Sequence, residues 1–189
     1  SRTSPSCASS LKPRCAPELG VAAMQVIHDI DALANWVGRE VACSDWIAIE
    51  QDRIQQFADA TGDQQWIHLD PERARSESPY GGTIAHGFLT LSLLPALMQS
   101  CVQVDGLAMA INYGLDRVRL PSAVRAGQLV RARFVLDSLT AVERGVQARW
   151  TATVESEGSE RPACVAEMLV RYYPRPSSPP APAGGNPTL

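Results

Sequence analysis

The strongest constraint on how this chain folds is the stretch from Thr83 to Cys101, which is apolar around nearly the whole circumference of a helix. Ile84, Phe88, Leu89, Leu91, Leu93, Leu94, Leu97, Met98 and Cys101 are spread around it rather than gathered on one stripe. Such a helix has to be covered on nearly all sides, so another part of the chain must wrap it. Pro95 lacks a backbone donor and predicts a kink or a division within the stretch.

The wrapping element follows in sequence. Ala108–Leu120, Leu129–Leu139, Val142–Val154 and Ala163–Tyr173 read as strands. Arg131-Ala-Arg-Phe-Val-Leu and Val146-Gln-Ala-Arg-Trp-Thr-Ala-Thr-Val alternate as half-buried antiparallel strands do. Arg144-Gly145 and Glu157-Gly158 supply turns between them. A buried helix followed by long antiparallel strands predicts an α+β fold whose sheet wraps the helix, which is the geometry of a single hot-dog domain.

Upstream, Met24 opens a helical-looking stretch, and Asp31–Val37 reads as a short helix with Asp31 as its N-cap. Trp46–Ile49 reads as extended. A helix is predicted from Gln51 to Thr61, with Ile54, Phe57 and Ala58 on one face and Gly62 just beyond its end. A second is predicted from Pro71 to Glu77, capped by Asp70. Pro79, Gly81 and Gly82 then mark a loop.

Two ends look detachable from this domain, which spans 24–173. Residues 1–23 are polar and aperiodic, and they read as a disordered extension before a natural start at Met24. Residues 174–189 carry Pro174, Pro176, Pro179, Pro180, Pro182 and Pro187, with Gly184 and Gly185, and read as a disordered tail. A hydrophobic fraction of 45% and a charged fraction of 20% suffice for a real core. A net charge of −3 argues against nucleic acid as a partner. No apolar run reaches the roughly 18 residues of a membrane helix, and the N-terminus has no apolar core of a secretory signal. Cys7, Cys15, Cys43, Cys101 and Cys164 are scattered without CxxC spacing, which favours free thiols and a cytoplasmic location.

The reactive groups concentrate in Phe57-Ala-Asp-Ala-Thr-Gly-Asp63-Gln-Gln65-Trp-Ile-His68-Leu-Asp70-Pro-Glu-Arg-Ala74. Asp63 follows the predicted helix end, and His68 falls five residues later in a stretch read as irregular. In a continuous helix that separation would splay the two by about 140°. On a turn-and-loop backbone they can converge on one small molecule, such as a water. A carboxylate and an imidazole are the minimum for moving a water's proton and hydroxyl onto neighbouring carbons. Read alone, Asp63 is equally a capping residue and His68 a satisfied buried histidine. His68-Leu-Asp70 is too sparse to predict a metal.

This segment resembles the signature of the MaoC-like (R)-specific enoyl-CoA hydratases, with Gly62, Asp63, His68 and Ala74 at the signature positions. Gln65-Trp66 stands where most members carry Asn-Pro. The Gln-Trp-Ile-His phrase, the block Ile84-Ala-His-Gly-Phe-Leu-Thr-Leu and the strand Asn112-Tyr-Gly-Leu resemble a subgroup with nodulation protein N and short mycobacterial (R)-hydratases. The resemblance spans roughly Met24 to Tyr173. It implies that Asp63 and His68 are the catalytic pair holding the water, and that the Gly87 N–H binds the thioester oxygen. It also implies that Gln65 helps orient the water or the carboxylate. His86 reads either as pocket lining or as a hydrogen bond near the helix start.

The implied reaction adds water to a trans-2-enoyl-CoA to give the (R)-3-hydroxyacyl-CoA. Coenzyme A enters only as part of the acyl-CoA substrate, no metal or other cofactor is required, and the expected assembly is a homodimer paired through edge strands. Dehydration of a 3-hydroxyacyl thioester, on CoA or acyl carrier protein, is the same equilibrium run backwards. A non-catalytic acyl-CoA-binding hot-dog protein is the alternative outside enzymology, and a thioesterase would leave the signature unexplained. Arg117, Arg119, Arg125, Arg131 and Arg133 are candidates for the phosphates of coenzyme A, and the sequence singles out none.

Overall fold

In the computed structural model, which describes residues 23–176, the alternating segments become one antiparallel sheet. Its strands are β2 (Arg39–Cys43), β3 (Ile47–Ala48), β5 (Leu107–Arg119), β6 (Leu129–Val142), β7 (Gly145–Ser156) and β8 (Cys164–Pro174). The order is β2-β6-β7-β8-β5, with β3 also paired to β6. A short parallel pair, β1 (Gln25–Ile27) with β4 (Val102–Val104), lies apart from it. The helices are α1 (Gln51–Thr61), α2 (Trp66–Leu69), α3 (Pro71–Glu77), α4 (Gly87–Ser92) and α5 (Leu94–Gln99), with a 3-10 turn at Asp31–Trp36.

The period-two pattern puts alternate residues of the long strands inside. Val130, Ala132, Phe134 and Leu136 of β6 are buried, as are Ala148, Trp150, Ala152 and Val154 of β7 and Ala166, Met168, Val170 and Tyr172 of β8. Small side chains form a row across the strands beside a large one: Phe134 lies opposite Ala152, and Ala152 opposite Ala166. That relief leaves room for Leu89 of α4 and Leu94, Leu97 and Met98 of α5, which join the strands in one core. Each such side chain contributes roughly 1.5–3 kcal/mol by burial.

Sheet order sets where the chemistry can sit. β5 follows the central helices and forms one edge, whereas β6 lies across the sheet beside β2. Residues 120–128 therefore cross between them and run past the start of α4. Ala85 N–H donates to the Val124 carbonyl at 2.8 Å, Ala126 N–H donates to the Thr83 carbonyl at 3.0 Å, and Ile84 pairs with Arg125 as an isolated bridge.

Several local expectations need correction. The central helix begins at Gly87, not Thr83, because the Thr83 carbonyl and the Ala85 N–H pair with this crossing segment and the Ile84 N–H donates to the Ile67 carbonyl. It is divided at Leu93, which leaves Pro95 at the start of α5 where its missing N–H costs nothing. The stretch after Met24 is a strand rather than a helix, since β1 finds a partner in β4. Asp29, not Asp31, caps the 3-10 turn, accepting from Ala32 N–H at 2.7 Å. Order also continues past 173: Pro174 closes β8, and Arg175 N–H donates to the Gly106 carbonyl at 2.8 Å. The remaining residues expected to be disordered, 1–22 and 177–189, lie outside the described residues.

The helix is also less enclosed than its composition suggests: Phe88 is 70% exposed. On β5, Met109, Ile111, Tyr113 and Leu115 are exposed as well. Among the described residues Cys43, Cys101 and Cys164 are free thiols, and no helix is long and apolar enough to cross a membrane.

Candidate active site

The site grows from the way α1 ends. Gly62 takes a left-handed conformation (φ 79°) and its N–H donates to the Ala58 carbonyl at 2.8 Å, which turns the chain out of the helix. Asp63 is the next residue, and its side chain is 56% exposed. The stretch read as irregular then forms the single turn α2. Asp70 ends it and caps α3, with Oδ1 accepting from Arg73 N–H at 2.9 Å. This turn points His68 inward, where it is buried.

His68 Nδ1 lies 2.7 Å from the Ile84 carbonyl oxygen. A carbonyl only accepts, so Nδ1 carries the hydrogen and Nε2 keeps a lone pair in the neutral ring. Burial pushes the His68 pKa below the ordinary histidine value; the Ile84 carbonyl and Asp63 oppose that shift, and His86 adds to it. The result is an imidazole held neutral, in one tautomer, with its accepting nitrogen free.

His86 is buried as the N-cap of α4 and stacks on His68 with ring centroids 3.7 Å apart. Its Nε2 donates to the Asp63 backbone carbonyl at 3.0 Å and lies 3.9 Å from Asp63 Oδ2. Of the two readings left open by the sequence, the structure supports the hydrogen bond. His86 grips the main chain of Asp63 while its ring supports His68.

Gln51, at the start of α1, ties these pieces together. Its Nε2 donates to the His68 carbonyl at 2.8 Å, and its Oε1 accepts from the Thr83 hydroxyl at 2.6 Å. Sequence reasoning passed over both residues, since a polar residue in a first helical turn gives no local sign of a partner 32 residues away. Gln65 is exposed, and its carbonyl accepts from His68 N–H at 3.0 Å.

Gly87 opens α4, so its N–H has no carbonyl four residues back within the helix. The Leu120 side chain lies over it so closely that a Cβ built on Gly87 would collide with Leu120. The structure thus brings Asp63, His68 and His86 into one cluster, with Gly87 next in sequence to His86.

Donor atoms of Asp63, His68 and His86 all lie within 4.8 Å of one another, a gathering that invites a test for metal binding. The ring planes of the two histidines are only 26° from parallel, so their in-plane lone pairs do not meet at one ion. The hydrogen on His86 Nε2 is, moreover, committed to the Asp63 carbonyl. As arranged, the cluster suits proton transfer.

A family model described as MaoC like domain matches residues 32–157, well over half the chain. The chain belongs to the MaoC-like dehydratase family. A 3-hydroxyacyl-thioester dehydratase Z from Mycobacterium tuberculosis is 51% identical over 79% of this chain and 99% of that protein. Nodulation protein N from Rhizobium leguminosarum bv. viciae is 49% identical over 70% of this chain and 84% of that protein. Among solved structures, the R-hydratase PhaJ1 from Pseudomonas aeruginosa superposes with a TM-score of 0.61 at 21% identity, covering 78% of this chain and 92% of that one. At that identity the likeness speaks for the fold, which is the hot-dog α+β fold expected from the strand and helix pattern. As a MaoC-like protein the chain is a hydro-lyase of the hydratase/dehydratase type.

Proposed function

We propose that this MaoC-like protein adds water to a trans-2-enoyl-CoA to give the (R)-3-hydroxyacyl-CoA. The observation that carries the reading is the convergence of the accessible Asp63 carboxylate with a buried His68 whose Nδ1–H is locked on the Ile84 carbonyl.

Asp63 and His68 hold the water, and His68 Nε2 accepts its proton as the oxygen bonds to the β-carbon. The electrons of the double bond move toward the thioester, whose oxygen takes negative charge and is met by the Gly87 N–H. The pair delivers a proton to the α-carbon, so it ends with as many protons as it began. Gln65 helps orient the water or the carboxylate, and His86 acts on the pair without touching substrate. No metal or separate cofactor takes part, and the protein works in the cytoplasm.

The acyl chain lies in an apolar cavity of about 230 Å³ where α4 meets α5, lined by Leu91, Leu94, Pro95, Leu115 and Met168 among others. Asn112, Gly114 and Leu115 of β5 and Met168 and Leu169 of β8 form the rest of its wall beside α4 and α5. A second copy of the chain covers the apolar edge of β5, pairing strand to strand and making a homodimer. An uncovered edge of 13 residues with Met109, Ile111, Tyr113 and Leu115 exposed would otherwise be a template for aggregation.

The dehydratase relative from Mycobacterium tuberculosis favours a second reading, removal of water from a 3-hydroxyacyl thioester. The same groups serve in both directions, so the two differ in physiological supply rather than in chemistry. The test is loss of enoyl-thioester absorbance with crotonyl-CoA for wild type, Asp63→Asn and His68→Gln. Hydration by the wild type, with a fall of roughly 10²-fold or more in both folded variants, is expected. Full activity in either variant overturns the acid–base assignment, and an inactive wild type across chain lengths overturns the CoA substrate.

A further inference from the structure

An open cleft of about 550 Å³ lies beside the catalytic cluster, between Tyr80, the crossing segment at Leu120–Gln128 and the turn at Gly158–Ser159. It adjoins the cluster through two residues. Leu120 lines the cleft, and the same side chain covers Gly87. Arg125 also lines it, and its main chain bridges to Ile84, whose carbonyl holds His68 Nδ1. Ile84 and Gly87 are three residues apart, at most about 10 Å of chain. The cleft and the reacting centre are therefore neighbours on one rigid segment.

The wall around Arg125 is braced. Gln128 Oε1 accepts from Arg125 N–H at 3.0 Å, while its Nε2 donates to the Glu157 carbonyl at 2.8 Å. The Ser122 hydroxyl donates to the Pro162 carbonyl at 2.9 Å, which ties the crossing segment to the opposite rim.

Of the five arginines that the sequence offered for phosphate, four are already engaged. Arg131 and Arg133 pair with Glu155, and Arg133 also with Glu40. Arg117 lies 3.8 Å from Glu167, and Arg119 donates to the Val118 carbonyl. Arg125 is exposed, its N–H is paired with Gln128, and among the described residues its guanidinium has no carboxylate, carbonyl or ring partner. A guanidinium free in a cleft presents the planar fork that matches a phosphate.

We propose that this cleft receives the pantetheine arm of the acyl thioester and that Arg125 binds the phosphate at the end of that arm. The inference rests on the thioester reading above and adds to it a carrier-binding site. Leu120 stands at the junction, where the arm passes from the cleft to the thioester held between Gly87, Asp63 and His68. The phosphate on pantetheine is common to coenzyme A and to the prosthetic group of a carrier protein, so the chemistry recognised at Arg125 is the same for both.

The experiment compares crotonyl thioesters of coenzyme A, of 4′-phosphopantetheine and of pantetheine, for wild type, Arg125→Gln and Arg125→Lys. In Arg125→Gln, KM for both phosphate-bearing substrates is expected to rise roughly ten-fold with kcat held. The preference over the pantetheine thioester then disappears, and Arg125→Lys falls between. The same proportional change on all three substrates, no change, or a change with the coenzyme A thioester alone overturns the assignment. Binding of free coenzyme A by calorimetry decides without turnover. A roughly ten-fold weaker Kd in Arg125→Gln supports the site even if no substrate is hydrated, and equal Kd values or no binding sink it. A wild type inactive on every thioester, the pantetheine one included, marks failure of the hydratase reading instead.

Discussion

Gln51 offers the sharpest test of how the fold holds His68, the proposed base. Replacing it with leucine keeps the side-chain volume close and removes two hydrogen bonds at once, to the His68 carbonyl (2.8 Å) and from the Thr83 hydroxyl (2.6 Å). Thr83 is buried, so its hydroxyl is left without that partner, while the His68 carbonyl keeps part of its solvation because Gln51 itself is only half-buried. A lost partner costs about 1–2 kcal/mol in such a setting, so Gln51→Leu is expected to cost about 2–4 kcal/mol in all. For a domain of this size, that corresponds to a fall in Tm of roughly 5–15 °C. The freed α2 turn also lets the His68 ring drift, and a fraction of an ångström at the reacting centre lowers kcat by roughly ten-fold or more. Thermal denaturation and crotonyl-CoA hydration would be followed for Gln51→Leu, Thr83→Val and the double variant. Because Thr83 acts on Gln51 directly, their effects should fall short of additive by about 1 kcal/mol. Strict additivity, or a lower Tm with kcat untouched, would refute the claim that Gln51 positions His68.

Four further outcomes follow from the same geometry. His68 has a pKa pushed below its ordinary 6.5 by burial, so the neutral base persists into mildly acid solution. The acid limb of kcat/KM should therefore lie below pH 6.5, and the contribution of neutral His68 to stability is likewise lost only as pH falls below 6.5. Asp63→Asn removes a carboxylate that raises this pKa, so NMR titration of His68 should show it falling further, and a rise would contradict the assigned electrostatics. Pro95 lines the apolar cavity at the break between α4 and α5, and Pro95→Ala should change the chain-length profile across C4 to C12 enoyl-CoA substrates; an unchanged profile counts against that cavity as the acyl site. The paired substitution Tyr113→Glu/Leu115→Glu should convert a dimer to a monomer in sedimentation, whereas a monomeric wild type would remove the case for β5 pairing.

Much of this protein was legible from local spacing. The α1 helix is recognisable from Ile54, Phe57 and Ala58, and its end from Gly62; the cap of α3 is written in Asp70-Pro71. The long strands show their alternation because one face meets the core and the other does not. Asp63 and His68 stood out because a single short motif holds both. Failures cluster where the deciding partner is distant in sequence. Residues 83–86 looked like helix, but the Thr83 carbonyl and the Ala85 N–H pair with the segment at 124–126, and Phe88 looked buried because composition does not tell which side of a helix the sheet leaves open.

By itself, then, the sequence determined the long strands, the helices α1 and α3, the α+β class and the chemical character of the Asp63–His68 segment, since these depend on residues within a few turns of one another. Only the tertiary structure decided which nitrogen of His68 is free, because that rests on a carbonyl 16 residues away. It also decided that His86 grips Asp63 and that Gln51 links Thr83 to His68. It alone separated Arg125 from its four engaged neighbours. The bonds of His68, His86 and Gln51 join residues 16 or more apart in sequence, and no local pattern of residues encodes them.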